Sequence, residues 1–189
     1  MKTLNKAKMT TGVLVMVLTI LFSACGNSSS ESSAETTVKP PSMDISAAVF
    51  MGDLNTVVKH IQAGTDLNKK DQYGSTPLLI ASTFGKNEIA SALIDAGADL
   101  NITNAEGSTA LYVASFFCHE EIVVALLKAN ADKEVRNSFG FTALESVNGP
   151  FETVKPIYMQ IEKDMGVVGV KFDYDHLEKT RPVIAELLQ

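Results

Sequence analysis

Asp71-Gln72-Tyr73-Gly74-Ser75-Thr76-Pro77-Leu78 opens a stretch that closes on Leu93-Ile94-Asp95-Ala96-Gly97-Ala98-Asp99-Leu100-Asn101, and its punctuation returns at a fixed interval. Gly74, Gly107 and Gly140 are 33 residues apart, as are Thr76, Thr109 and Thr142, and Leu78, Leu111 and Leu144. A second series runs out of phase with the first: Gly64 and Gly97, then Asn130 where a third glycine would fall. Asp66-Leu67-Asn68 recurs as Asp99-Leu100-Asn101. Self-similarity at a fixed period predicts stacked units, each burying its apolar face only against its neighbours.

Within the unit that runs from Asp71 to Thr103, Asp71 to Gly74 reads as a turn. Thr76 is placed to cap the free N–H groups of a following helix, and Pro77 sits where its missing N–H costs nothing. That helix carries Leu78, Ile80 and Ala81 to about Phe84, and Gly85 ends it. A second helix from about Glu88 to Asp95 places Ile89, Ala92, Leu93 and Ala96 at three- and four-residue spacing. Gly97 closes it.

Gly74-Ser75-Thr76-Pro77-Leu78 followed by Ile80-Ala81, and Leu93 to Asn101, closely resemble the ankyrin repeat. The unit from Asn104 to Arg136 matches again through Gly107-Ser108-Thr109-Ala110-Leu111, Glu121-Ile122-Val123, Leu126-Leu127 and Ala131-Asp132. There Ala110 replaces the family's proline, Tyr112 its frequent histidine and Cys118 its glycine. The resemblance implies an all-α ankyrin-repeat solenoid of about four helix-turn-helix units with β-turn tips, over residues 44–70, 71–103, 104–136 and 137–189. The first unit is only the helical part plus its tail. Its His60 stands in the register of Leu93 and Leu126, an outward polar replacement expected of a solubilising cap.

The fourth unit begins normally with Gly140-Phe141-Thr142-Ala143-Leu144, and Asn148-Gly149-Pro150 then cuts its first helix short. Val154, Ile157, Tyr158, Ile161 and Met165 share one face of a segment expected to be helical from near Pro156. Gly166 to Phe172 reads as an extended loop, Asp173 as the cap of a short helix, and Arg181 to Leu188 as the unit's displaced second helix. About 149–181 is therefore an insertion, and the simplest role for it is to cover the end of the stack.

The first residues are of another kind. Lys2, Lys6 and Lys8 precede a short apolar run, Val13 to Phe22, and then Ser23-Ala24-Cys25. Residues 1–24 read as a secretory signal peptide, too short in its apolar run to span a bilayer comfortably. The small residues before Cys25 resemble a bacterial lipobox, which implies cleavage there and lipid attachment to Cys25. Acyl chains contribute about 0.8 kcal/mol per buried CH₂. Residues 25–43 then form a Ser/Thr/Pro-rich tether with almost nothing to bury, and a reach of roughly 20–25 Å. The expectation is export and lipid anchoring to a bacterial membrane, at the periplasmic face of the outer membrane if the host has two. Without the leader, thirteen basic side chains face 22 acidic ones, a net charge of −9. That argues against nucleic acid as a partner. With Cys25 acylated, Cys118 has no partner for a disulfide.

Nothing in the chain makes a positive case for catalysis, a metal or another cofactor. Asp173, Asp175 and His176 are the nearest approach to a metal cluster, yet they do not share one helix face and no further ligand completes them. Neighbouring Cys118 and His119 point apart on a helix and lack an orienting third group. Binding has more content. In the ankyrin family partners meet the turn tips and the exposed side of the first helices, a concave face. That face would comprise Tyr73, Ser75, Thr83 and Phe84, then Glu106, Ser108, Phe116 and Phe117, then Ser138, Phe139 and Phe141. Six of these eleven are aromatic in a chain with 7% aromatic residues, and aromatic side chains dominate interface hot spots. The reading is a monomeric module of the cell envelope that binds a protein or peptide. Its rivals are an accessory or inhibitory factor for one envelope enzyme or toxin, and a metal-dependent enzyme using the insertion. If Phe116 and Phe139 both lie open on that face, replacing them with alanine leaves thermal stability nearly unchanged.

Overall fold

The computed structural model describes residues 38–189, all of whose regular elements are helical. Four units stack side by side. Their first helices are α1 (Ile45–Met51), α3 (Pro77–Thr83), α5 (Ala110–Phe116) and α7 (Ala143–Val147). Behind them lie α2 (Leu54–Gln62), α4 (Asn87–Asp95) and α6 (Glu120–Lys128). The segment after α7 forms α8 (Phe151–Met165), a 3₁₀ turn (Gly166–Val168) and α9 (Tyr174–Leu188). Helix α9 packs against both α7 and α6, so it fills the second-helix place of the fourth unit.

A side-chain cap starts each first helix: Asp44 Oδ1 accepts from Ser46 N–H at α1, and a threonine does this work at α3, α5 and α7. Thr76, Thr109 and Thr142 accept from the N–H groups of Leu79, Tyr112 and Glu145 at 3.3, 3.2 and 3.2 Å. These helices are only five to seven residues long, too short to persist alone. Burial holds them. Leu78, Ala81, Leu111, Ala114, Ile122, Val123, Leu126, Leu93 and Ala90 are wholly or almost wholly enclosed in one continuous core. Fully burying a Leu or Ile side chain contributes roughly 1.5–3 kcal/mol, and each side chain here owes its burial to the neighbouring unit. On the far edge asparagines clasp one unit to the next: Asn68 Oδ1 accepts from Asp99 N–H and Asn101 Oδ1 from Asp132 N–H, at 2.9 and 3.0 Å. At the end of that row Lys133 Nζ donates to the Leu188 carbonyl of α9 at 3.0 Å.

Three local expectations are corrected. His60 does not face outward but is 4% exposed. Its Nε2–H donates to the Met43 carbonyl at 2.7 Å, and Nδ1 lies 3.0 Å from Thr65 Oγ1. The chain ahead of α1 folds over the open end of the stack, and His60 is the polar peg that holds it there. Helix α8 begins at Phe151 rather than near Pro156, because Pro150 supplies an extended N-cap and Pro156 is accommodated inside the helix. Finally, the short helix after Asp173 and the helix from Arg181 are one. Leu177, Thr180, Arg181, Ile184 and Leu188 form one buried stripe on α9, and its continuity outweighs the hydrogen bond that Pro182 removes. The insertion between the helices of the fourth unit therefore ends nearer 173 than 181. The expected signal peptide, Cys25 and the expected tether up to residue 37 lie outside the described residues.

Candidate functional site

The tips and first helices form a concave face, and its geometry starts with a side chain at the head of each turn. Asp71 Oδ1 accepts from the N–H groups of Tyr73 and Ser75, both at 2.8 Å. Asn104 does the same for Glu106 and Ser108, and Asn137 for Phe139 and Phe141. Asp and Asn suit this role because a short side-chain oxygen folds back on backbone two residues on. The 33-residue register of Asp71, Asn104 and Asn137 was not singled out in the sequence, although it positions every tip residue. Consecutive tips touch: Ser138 N–H donates to the Glu106 carbonyl at 2.9 Å. A Cβ on Gly107 would come within 2.9 Å of the Ser138 backbone, so only glycine lets the tips approach this closely.

These turns project Tyr73 and Phe139 into solvent, 70% and 73% exposed, with Phe141 half exposed. Glu106 and Ser138 are exposed, whereas Ser75, Thr83 and Phe84 are partly buried. Ser108 is buried and its backbone closes the turn onto Asn104, so it cannot present a side chain to a partner. Thr83 Oγ1 turns back to the Leu79 carbonyl of its own helix at 2.9 Å.

Phe116 and Phe117 require a correction. They belong to a second core under the insertion. Phe116 stacks on Tyr158 of α8 at 4.6 Å between ring centroids, and Phe117 stacks on Phe172 at 5.8 Å. The Tyr158 hydroxyl donates to the Phe116 carbonyl and accepts from Arg181 Nη1. Tyr158 is fully enclosed, and burial raises its phenol above the ordinary range. The double alanine change of Phe116 and Phe139 therefore removes part of a core and is no test of an open surface.

Cys118 completes this second core. It is 3% exposed, takes a positive φ of 59° where the family has glycine, and its thiol lies 3.9 Å from the Leu177 carbonyl. Burial pushes the thiol pKa up to about 11. A non-glycine residue in this backbone region is disfavoured by about 1 kcal/mol, offset here by a side chain that fills space beneath α9. His119, next along, lies against Gly85 and donates from Nε2 to the Thr83 carbonyl at 3.2 Å. Burial lowers its pKa, and the charge of nearby His176 pushes the same way.

Helix α8 thus lies along the concave face. It leaves the fourth unit at Pro150, is pinned to the third at Tyr158, and brings Met165 and Val168 alongside the second and first. Between that end and the stack is a cavity of about 830 Å³. Tyr73, Ser75, Thr83 and Phe84 line it from the stack, together with Phe50 of α1, and Met165 and Val168 line it from the insertion. Phe50 meets Phe84 edge to face at 5.0 Å. Four of the eleven expected residues therefore share one site. Phe50 was missed although it stands one period before Thr83 and two before Phe116. Its unit lacks the turn that would have marked the register.

The family model for ankyrin repeats (3 copies) matches residues 45–137. Residues 45–137 are ankyrin repeats. The match ends where the fourth unit begins, so α7 and α9 extend the ankyrin stack beyond it while α8 interrupts the added unit. No curated protein matches the chain. Ankyrin repeats are in general protein–protein interaction modules, typically without catalytic activity. Among the described residues no group of three His, Cys, Asp or Glu side chains is arranged to hold a metal ion. Asp173 is instead the N-cap of α9, accepting from His176 N–H at 3.0 Å. Among the same residues no helix is long and apolar enough to cross a membrane.

Proposed function

We propose that this ankyrin-repeat chain is an exported binding protein, held to a bacterial membrane by lipid on Cys25, that captures a protein or peptide in the open half of its concave face. The observation that carries the reading is the cavity walled by Phe50, Tyr73 and Phe84 on one side and Met165 and Val168 on the other. Apolar walls of this kind gain from burying a partner's side chains, and the rigid tips meet it without reordering. The acidic balance of the chain favours a neutral or basic partner over an acidic one. The protein acts as a monomer, and no reaction is involved. The lipid anchor rests on the order of residues around Cys25, and places the module at the envelope, facing the periplasm in a host with two membranes.

The test is affinity capture from the native envelope fraction with the lipidated protein, beside a Tyr73→Ala/Val168→Ser variant. Both side chains are more than half exposed, so the variant keeps its melting temperature. One stoichiometric protein retained by the wild type and lost by the variant supports the reading. Equal retention by both, or none by either, sinks it. A Cys25→Ser form should leave the membrane fraction while still binding.

A further inference from the structure

At the far end of α8 lies a feature that capture of a partner does not use. Arg181 is 2% exposed, yet no carboxylate pairs with it: the ion pairs among the described residues are Arg136–Glu145 and Lys155–Glu152. Its Nη1 donates to the Tyr158 hydroxyl at 3.2 Å, while its Nε–H has no partner among the described residues. A buried charge without a counter-charge is unfavourable, so a guanidinium left in this state calls for an acceptor. Arg181 lines a cavity of about 460 Å³, and the other wall is the start of α8, through Asn148, Gly149 and Phe151. That helix start is also unsatisfied. Pro150 offers no side-chain cap, and Thr153 N–H turns back to the Pro150 carbonyl. The N–H groups of Phe151 and Glu152 have no acceptor among the described residues. Uncapped N–H groups at the positive end of a fifteen-residue helix attract negative charge.

From these two independent deficits, a buried guanidinium and an uncapped helix start facing one cavity, we infer a binding site for a small oxyanion between α7, α8 and α9. Arg181 is its charged donor, and the first N–H groups of α8 are its neutral ones. Glu178, three residues before Arg181 on α9, is the one acid in the lining and makes no ion pair with it. It opposes anions, and most strongly those of high charge. Phe151 and Pro182 make the remaining wall partly apolar. Carboxylate and phosphate share the required acceptor geometry for an arginine fork. An oxyanion held here ties the root of α8 to α9, so occupancy stabilises the insertion.

The experiment is an NMR titration of the folded full-length protein with N-acetylglycine, with inorganic phosphate, and with neutral N-acetylglycinamide, at constant ionic strength set by chloride. The site predicts saturable shifts confined to the Gly149, Phe151 and Glu152 amides and Arg181 Nε. They come from one or both oxyanions and not from the amide, and the responding arm names the ligand. Arg181→Met should weaken binding by about tenfold or more, because it removes the charge-assisted donor. Glu178→Gln, on an exposed side chain that leaves the fold intact, should tighten it by roughly threefold through lost repulsion. Equal shifts with the amide, or no saturation with either oxyanion, would overturn the site and leave Arg181 as a tie for Tyr158 alone. Because the cavity at Tyr73 is untouched by these changes, this outcome is independent of whether partner capture succeeds.

Discussion

The contact between His119 and Gly85 shows how one side chain dictates another across units. Gly85 has φ +62°, and a Cβ there would sit 2.7 Å from the His119 ring. Glycine is required twice, by its own backbone and by the imidazole of the next unit. The same ring makes stability depend on pH. Burial puts its folded-state pKa below the ordinary value of 6.5. Between the two values the unfolded chain takes up a proton that the folded chain does not. The His119 contribution is therefore complete above the ordinary value and lost as the pH falls through the folded one. Denaturant melts of wild type and His119→Gln should converge on going from about pH 7.5 to about pH 5. An unchanged difference would mean the ring titrates as if exposed. The sequence did mark Gly85 as a helix end and Cys118 as standing in the family's glycine position. What it could not mark was why a cysteine is tolerated there. That depends on Leu177, 59 residues away, and no local pattern reports a contact at that distance.

Among the elements, α8 differs from its neighbours. Every residue of α3 except Thr83 is buried, whereas α8 buries only Phe151 and Tyr158 of its fifteen residues. Val154, Ile161 and Met165 are partly covered and Ile157 is half exposed, so the apolar face read from the sequence exists but is held mainly at one point. Phe116→Ala should cost about 3 kcal/mol, because it empties the space under Tyr158. Differential scanning calorimetry beside Phe139→Ala, whose ring is 73% exposed, checks this. Similar small losses for both would return Phe116 to the open surface. Helices α3 to α6 were legible because threonine caps and glycine ends recur with the period. The start of α8 and the unity of α9 were not, since Pro150 caps through backbone shape alone and Pro182 lies within a helix that its buried stripe sustains.

At the scale of the whole molecule, the fourth unit closes only when the chain returns from α8. Helix α7 packs on α5 and is closed over by α9, and Cys118 is enclosed by that return. Its thiol is therefore a reporter of the closed state. With burial and a pKa pushed up to about 11, Cys118 in the native protein should react with a thiol-specific disulfide reagent at pH 8 orders of magnitude more slowly than in the unfolded chain. Fast labelling of the folded protein would show the fourth unit open in solution. The architecture has one more consequence. Helix α8 is a rod laid along an arc of repeats, fixed at its root and middle, and its free end supplies one wall of the cavity beside Phe50. The distance from Pro150 to that wall is counted in residues, at about 1.5 Å each. Adding or removing one turn near Met165 would shift the wall by about 5.4 Å without touching a single repeat. The insertion is thus a gauge. A lineage could resize what the groove admits by editing its length, while the stack that holds it stays the same.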